Sequence, residues 1–171
     1  MREVGTFPTG KEVILSRRSP EEPLRICWSG LLIPRKALEI LLHAIRQCKN
    51  PIEVTVLGGG VMEKKWKNLA NDLGVEKQVH FKNQVHHDDV LKYMANSHAL
   101  CITSIHEGGT GTVVLEALQN GLPLISMDHC AFKTVINERI GIKIPIKNKQ
   151  QIYSDYAKAM DFMYENEDIR Y

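Results

Sequence analysis

Two carboxylates, Glu107 and Glu116, bracket a turn that contains Gly108, Gly109 and Gly111. The apolar run before them, Ala99-Leu100-Cys101-Ile102, reads as a buried parallel strand, and Thr112-Val113-Val114-Leu115-Glu116-Ala117-Leu118 reads as a helix. The first amides of a helix have no internal partner, and the helix dipole favours negative charge there. A glycine-rich turn feeding Gly111, Thr112 and Val113 is therefore an expected anion site, most often for phosphate. Glu116 lies four residues after Thr112, on the same helix face. Set among Val113, Val114, Leu115, Ala117 and Leu118, its charge needs a partner. Ligand hydroxyls would serve, and so would a core lysine or arginine. Glu107, just past the strand end with His106, can bond a ligand hydroxyl or a backbone amide, or simply face solvent as a loop carboxylate. Asp128-His129 hold the corresponding place after the next strand, with the same two readings.

Other residues join this set by position. Gly58-Gly59-Gly60 lies between a strand and a helix, where a ligand or a tight turn would each call for glycine. It lacks both GxGxxG spacing and the lysine of a phosphate-binding P-loop. Arg35-Lys36 open a predicted helix, where cations oppose the dipole and gain from a nearby anion. Ser16-Arg17-Arg18 reads as a solvated linker. His86-His87 are adjacent, point about 100° apart on a helix, and read as loop residues. Cys27, Cys48, Cys101 and Cys130 show neither metal nor redox spacing and read as reduced thiols of a cytoplasmic chain.

The elements that must hold these residues alternate. Residues 1–23, broken by prolines, form a lead-in, with Glu12-Val13-Ile14-Leu15 as a short candidate strand. Predicted strands cover residues 24–30, 52–57, 79–81, 99–102, 122–126 and 141–145. Predicted helices cover 34–49, 61–73, 88–96, 112–119, 132–137 and 150–165. That order, without hairpin signals, predicts an α/β fold: a doubly wound, Rossmann-like parallel sheet forming a single domain over residues 24–171. Ligands of such sheets bind beyond the carboxyl ends of the strands. The loops at 29–36, 58–61 and 104–112 share that edge.

Composition excludes several classes. The 171 residues carry 43% hydrophobic and 25% charged side chains and a net charge of +2, with no basic run suited to nucleic acid. No stretch has the length and apolarity of a membrane span, and the first residues lack the apolar core of a signal peptide.

The pattern as a whole resembles the C-terminal, donor-binding half of GT-B retaining glycosyltransferases of family four, which includes bacterial cell-surface polysaccharide and lipopolysaccharide enzymes. Four stretches carry it: Trp28-Ser29-Gly30 through Pro34-Arg35-Lys36 to Leu42, Val56 to Gly60, Val79 to Val85, and Glu107 to Ile125. The resemblance implies a UDP- or GDP-sugar as substrate, with Lys36 and the amides of Gly111, Thr112 and Val113 on its diphosphate. Arg35 is a second candidate cation there. Gly60 would let the backbone approach the same group. Glu116 would accept from ribose hydroxyls, Gln84 and Val85 would lie near the base, and Glu107 would be the catalytic-site residue beside the donor sugar. No metal or other cofactor is expected.

Two departures stand out. The family places seven residues between its two glutamates; here eight, Gly108 to Leu115, separate Glu107 from Glu116, so without a gap Gly108 falls at the first glutamate's place. The family's arginine after the first glycine is here Leu31, which Arg35 would have to replace. The resemblance further implies a missing N-terminal acceptor domain, so that this half alone is expected to be inactive. Peripheral membrane contact by the whole enzyme is left open. The alternatives are half of a nucleotide-sugar 2-epimerase and a non-catalytic nucleotide-binding module. A flavodoxin-like receiver is disfavoured because no acidic pocket marks the first strand end.

Overall fold

The computed structural model describes residues 17–107 and 111–167. Six strands form one sheet: β1 (Leu24–Ser29), β2 (Ile52–Leu57), β3 (Val79–Phe81), β4 (Ala99–Ile102), β5 (Leu124–Met127) and β6 (Gly141–Ile144). Their order is β3-β2-β1-β4-β5-β6, and every pairing is parallel. The expected doubly wound sheet is present.

Side-chain alternation along the strands sorts the core into two layers. On β1, Leu24, Ile26 and Trp28 join one cluster, while Cys27 joins the other. On β4, Ala99 and Cys101 face the first cluster, and Leu100 and Ile102 the second. The first layer is covered by α1 (Glu39–Ile45), α2 (Glu63–Asp72) and α6 (Lys149–Glu165). The second is covered by α3 (His87–Ala95), α4 (Thr112–Gln119) and α5 (Phe132–Val135). Strands apolar on both faces follow from this sandwiching.

Helix ends obey local chemistry. Asn148 caps α6 by accepting from the Gln151 amide at 3.0 Å. Beyond α2, Gly74 takes a left-handed conformation, φ 69°, so that Val75 N–H bonds the Ala70 carbonyl and Gly74 N–H the Asn71 carbonyl.

Two expectations are corrected. A single helix over residues 34–49 does not form: a 3-10 turn, Pro34–Lys36, is followed by Ala37 at φ 46°, and only then by α1. The cause is long-range. The Lys36 carbonyl accepts from Thr103 Oγ1 at 2.7 Å, just past β4, and so does not serve an amide of its own helix. Nor is Arg18 solvated. It is 7% exposed, and its guanidinium donates to the carbonyls of Ser19, Pro20, Glu22 and Tyr164. It also lies 4.0 Å over the Tyr164 ring, and its backbone amide donates to Glu167. The start of the domain is thereby knotted to the end of α6. The candidate strand Glu12 to Leu15 and the residue Gly108 lie outside the described residues.

Candidate active site at the carboxyl edge of the sheet

β1 and β4 are neighbours, but the chain leaves β1 toward β2 on one side and leaves β4 toward β5 on the other. Their carboxyl ends therefore diverge and open a crevice at the sheet's switch point. A buried relay fixes what lines it. Trp28 Nε1 donates to Thr103 Oγ1 at 2.9 Å, and that hydroxyl donates onward to the Lys36 carbonyl. The Ile105 amide donates to the Arg35 carbonyl at 2.8 Å. The 3-10 turn carrying Arg35 and Lys36 is thus bound to the loop that carries Glu107.

The three side chains meet. Lys36 Nζ donates to Glu107 Oε1, and Arg35 donates to Glu107 Oε2 at 3.1 Å and to the His106 carbonyl at 3.3 Å. Burial alone would raise the Glu107 carboxyl. Hydrogen bonds from Lys36 and Ser104, the Lys36 charge and the Arg35 contact outweigh it and hold the group below its ordinary value. With the eight-residue spacing, Glu107 still stands against Lys36 and Arg35. The anion that Arg35 and Lys36 call for is, in this structure, Glu107 itself.

Behind the pair lies a cavity of about 20 Å³, lined among others by Lys36, Ser104, Glu107, Gly111, Val113 and Phe132. It has room for about one water. Larger space lies on the β2 side: a crevice of about 270 Å³ bounded by Gly30, Leu31, Gly58, Gly59, Gln84 and Val85. Gln84 and Val85 both border this opening. Gly60 is not among the crevice-lining residues, and its glycine has another reason. A Cβ there would stand 2.5 Å from the Leu32 carbonyl oxygen, and one on Gly58, at φ 128°, would stand 2.0 Å from that of Gly30. The glycine run lets the loops after β1 and β2 lie backbone to backbone, with Leu32 N–H donating to Gly59 and Met62 N–H to Leu32.

α4 begins beside this site. Its N-cap, Gly111, sits at φ 68°; among the described residues no side chain caps it, and its first turn, from Thr112 and Val113, has no acidic residue. Glu116 lies one turn further in, with its side chain 17% exposed. The basic side chain it meets is a histidine rather than a core lysine or arginine: Glu116 Oε1 is 3.8 Å from His87 Nδ1. The carboxylate is felt inside the sheet, where burial first and the Glu116 charge second push the Cys27 thiol up to about 12.

Asp128 and His129 remain at the margin. Asp128 Oδ1 lies 3.8 Å from Lys143 Nζ, and His129 stacks on Phe132. All four cysteines are free thiols. Among the described residues no three or more His, Cys, Asp or Glu side chains form a metal-binding group, and no helix is long and apolar enough to cross a membrane. Sequence reasoning missed Thr103, Ser104 and the place of His87, which was read as a loop residue but opens α3 and stands 3.8 Å from Glu116. A polar pair directly after an apolar strand was the available signal for the first two. For His87 the signal was its place at a helix start on the ligand edge.

A parallel sheet with this order and a helix starting at its switch point define a Rossmann-like domain. Residues 11–170 match the family model for glycosyl transferases group 1, and the chain belongs to that family. It is 26% identical over 153 residues to a GDP-mannose-dependent alpha-(1-6)-phosphatidylinositol monomannoside mannosyltransferase of Mycobacterium tuberculosis, covering 84% of this chain and 40% of the relative. The amylovoran biosynthesis glycosyltransferase AmsK of Erwinia amylovora is 26% identical over 135 residues, covering 72% of this chain and 32% of that protein. The chain thus spans two fifths or less of the length of these relatives. Among solved structures, the pneumococcal O-GlcNAc transferase GtfA in complex with UDP and GlcNAc superposes with a TM-score of 0.75 at 19% identity, over 91% of this chain and 32% of that one. The apo lipopolysaccharide outer core galactosyltransferase WaaB gives 0.76 at 20% identity, over 92% and 44%. These likenesses match the Rossmann-like half of the GT-B architecture.

Proposed function

We propose that this chain is the donor-binding half of a retaining glycosyltransferase that moves a sugar from a nucleoside-diphosphate sugar to an acceptor hydroxyl. One observation carries the reading: Gly111 and Val113 at the start of α4 line the same small cavity as Lys36 and Glu107, Arg35 shares Glu107 with Lys36, and the half-buried Glu116 lies one turn further along. Amides and cations at that point suit a diphosphate. Glu116 suits paired ribose hydroxyls, which donate to both carboxylate oxygens. Gln84 and Val85, across the crevice from Gly30 and Leu31, suit the base.

The chemistry is electrostatic. As the sugar–phosphate bond breaks, charge grows on the leaving diphosphate, and fixed donors at a helix start stabilise it more than they stabilise the ground state. Lys36 and Arg35 supply the positive charge, and this scheme assigns no step to a metal. Both cations are held by Glu107 in the ligand-free chain, so a diphosphate must take them over. Glu107 is then freed to accept from the donor sugar. Arg35 fills the need left by Leu31. The acceptor side is supplied by sequence outside this chain, and the names of its relatives favour a cell-surface glycan or lipid-linked precursor as acceptor. Free thiols at all four cysteines fit a reducing compartment, and we place the reaction in the cytoplasm.

Calorimetric titration of the 171-residue chain with UDP-glucose, UDP-N-acetylglucosamine, UDP-galactose and GDP-mannose tests this. Saturable binding of at least one is expected. Lys36→Met should weaken it by about tenfold to a hundredfold, the range for a hydrogen bond to a charged group. No binding by any of the four, or binding indifferent to Lys36→Met and Glu116→Ala, refutes the assignment.

A further inference from the structure

The contact between α3 and α4 carries an inference that rests on the donor reading and deepens it. Glu116 is a carboxylate on a mostly apolar helix, 17% exposed, with its charge reaching the buried Cys27. A group in that position has two requirements. Its charge must be offset, and its oxygens must be held in one orientation if they are to receive a pair of hydroxyls. His87 is placed to do both. It is the first residue of α3, and its Nδ1 stands 3.8 Å from Glu116 Oε1. The imidazole itself is 64% exposed, so water can reach it and protons can exchange. At 3.8 Å the pair is an electrostatic contact rather than a tight hydrogen bond, so it leaves the carboxylate's acceptor capacity to a ligand hydroxyl.

The remaining ionisable neighbours do not take over this role. On α3 itself, Asp88 and Asp89 carry negative charge, and Asp89 is tied to Lys92 at 2.8 Å. His86, the residue before α3, acts electrostatically on Asp89. From β1 the facing group is the Cys27 thiol, which stays protonated in any ordinary buffer. Glu116 is the group that α4 presents to His87.

We propose that His87 is a positioning residue for Glu116: in its protonated form it orients the carboxylate for the donor's ribose hydroxyls, and donor affinity strengthens as the imidazole gains its proton. Imidazole is the side chain that can change charge within about pH 5 to 8, the range the test spans. An exposed ion pair of this kind corresponds to an affinity change of about twofold to fivefold.

The test uses the whole chain and intact nucleotide sugars, whose diphosphate does not titrate in this range. Affinity for whichever of UDP-glucose or GDP-mannose binds is measured from pH 6 to pH 8 on wild type, His87→Gln, His87→Lys and His86→Gln. Wild type and His86→Gln should bind about twofold to fivefold tighter at pH 6. His87→Gln should bind weakly and without pH dependence, and the permanently charged His87→Lys should bind tightly at both ends. In parallel, the nuclear Overhauser contact between the His87 ring and the Glu116 side chain is followed without ligand; it should persist at pH 6 and weaken at pH 8. A pH profile unchanged by His87→Gln, or one abolished by His86→Gln instead, overturns the proposal. Loss of all donor binding in wild type, with the ring contact intact, refutes the donor reading and takes the ribose role of His87 with it.

Discussion

Replacing Thr103 with valine probes how the fold holds the site. Thr103 is fully buried, and valine has nearly its shape, so no cavity opens. What disappears is one hydroxyl that serves two groups: it accepts from Trp28 Nε1 at 2.9 Å and donates to the Lys36 carbonyl at 2.7 Å. Trp28 is 2% exposed, so water does not replace the lost partner on the indole. A buried polar group left unpaired costs about 1–3 kcal/mol. Two such groups, less the cost of having buried the hydroxyl, give about 2–4 kcal/mol. For a domain of this size that is a fall of about 6–12 °C in midpoint temperature. Thr103→Ser is the control: it keeps the relay and loses a methyl group, about 1 kcal/mol. Urea melts followed by far-ultraviolet circular dichroism measure both. If Thr103→Val is as stable as Thr103→Ser, the relay does not hold the 3-10 turn and the reasoning fails. A second consequence is specific to this site. The Lys36 backbone loses its anchor, so donor binding by Thr103→Val should weaken while Thr103→Ser stays near wild type.

Two further predictions concern different parts of the same edge. Gly58→Ala sets a methyl 2.0 Å from the Gly30 carbonyl oxygen at an unfavourable φ, whereas Gly74→Ala meets open space at φ 69°; chemical denaturation should show a loss of about 3 kcal/mol or more for the first and about 1–2 kcal/mol for the second. The Glu107 carboxyl is held below its ordinary value, so its stabilising contribution is complete above the unfolded carboxylate's pKa and fades as pH falls through the lower folded one. The stability gap between wild type and Glu107→Gln should therefore be constant near neutrality and close on acidification, as read by urea melts from pH 7 to pH 3.

The sheet was legible in the sequence because its signals are local. Runs such as Ile52 to Leu57 and Ala99 to Ile102 carry apolar residues toward both layers, and Gly74 and Gly121 stop helices by their own backbone freedom. Gln84 and Val85 were placed near the opening only through the family resemblance, and both border the crevice. The helix break after Lys36 was not legible, because the hydroxyl that causes it is 67 residues away. The same holds for Arg18, whose carbonyl partner on Tyr164 is 146 residues distant. Arg35 and Lys36 were expected as cations awaiting an anion; that the anion is Glu107 followed from a loop path that spacing alone does not encode. Gly60 was read toward a ligand, yet its neighbour is the Leu32 carbonyl, a contact between loops that only the closed fold creates.

The Arg18 guanidinium, gripping four carbonyls from two distant stretches, has a mechanical consequence. Strands peel and helices fray from their ends, but here both ends of the described domain are fastened by one side chain. A pull on either end is borne first at the same point, and release of one loosens the other. Bodies attached upstream of residue 17 and downstream of residue 167 would swing about a common pivot, so a twist applied through one is felt by the other without passing through the sheet.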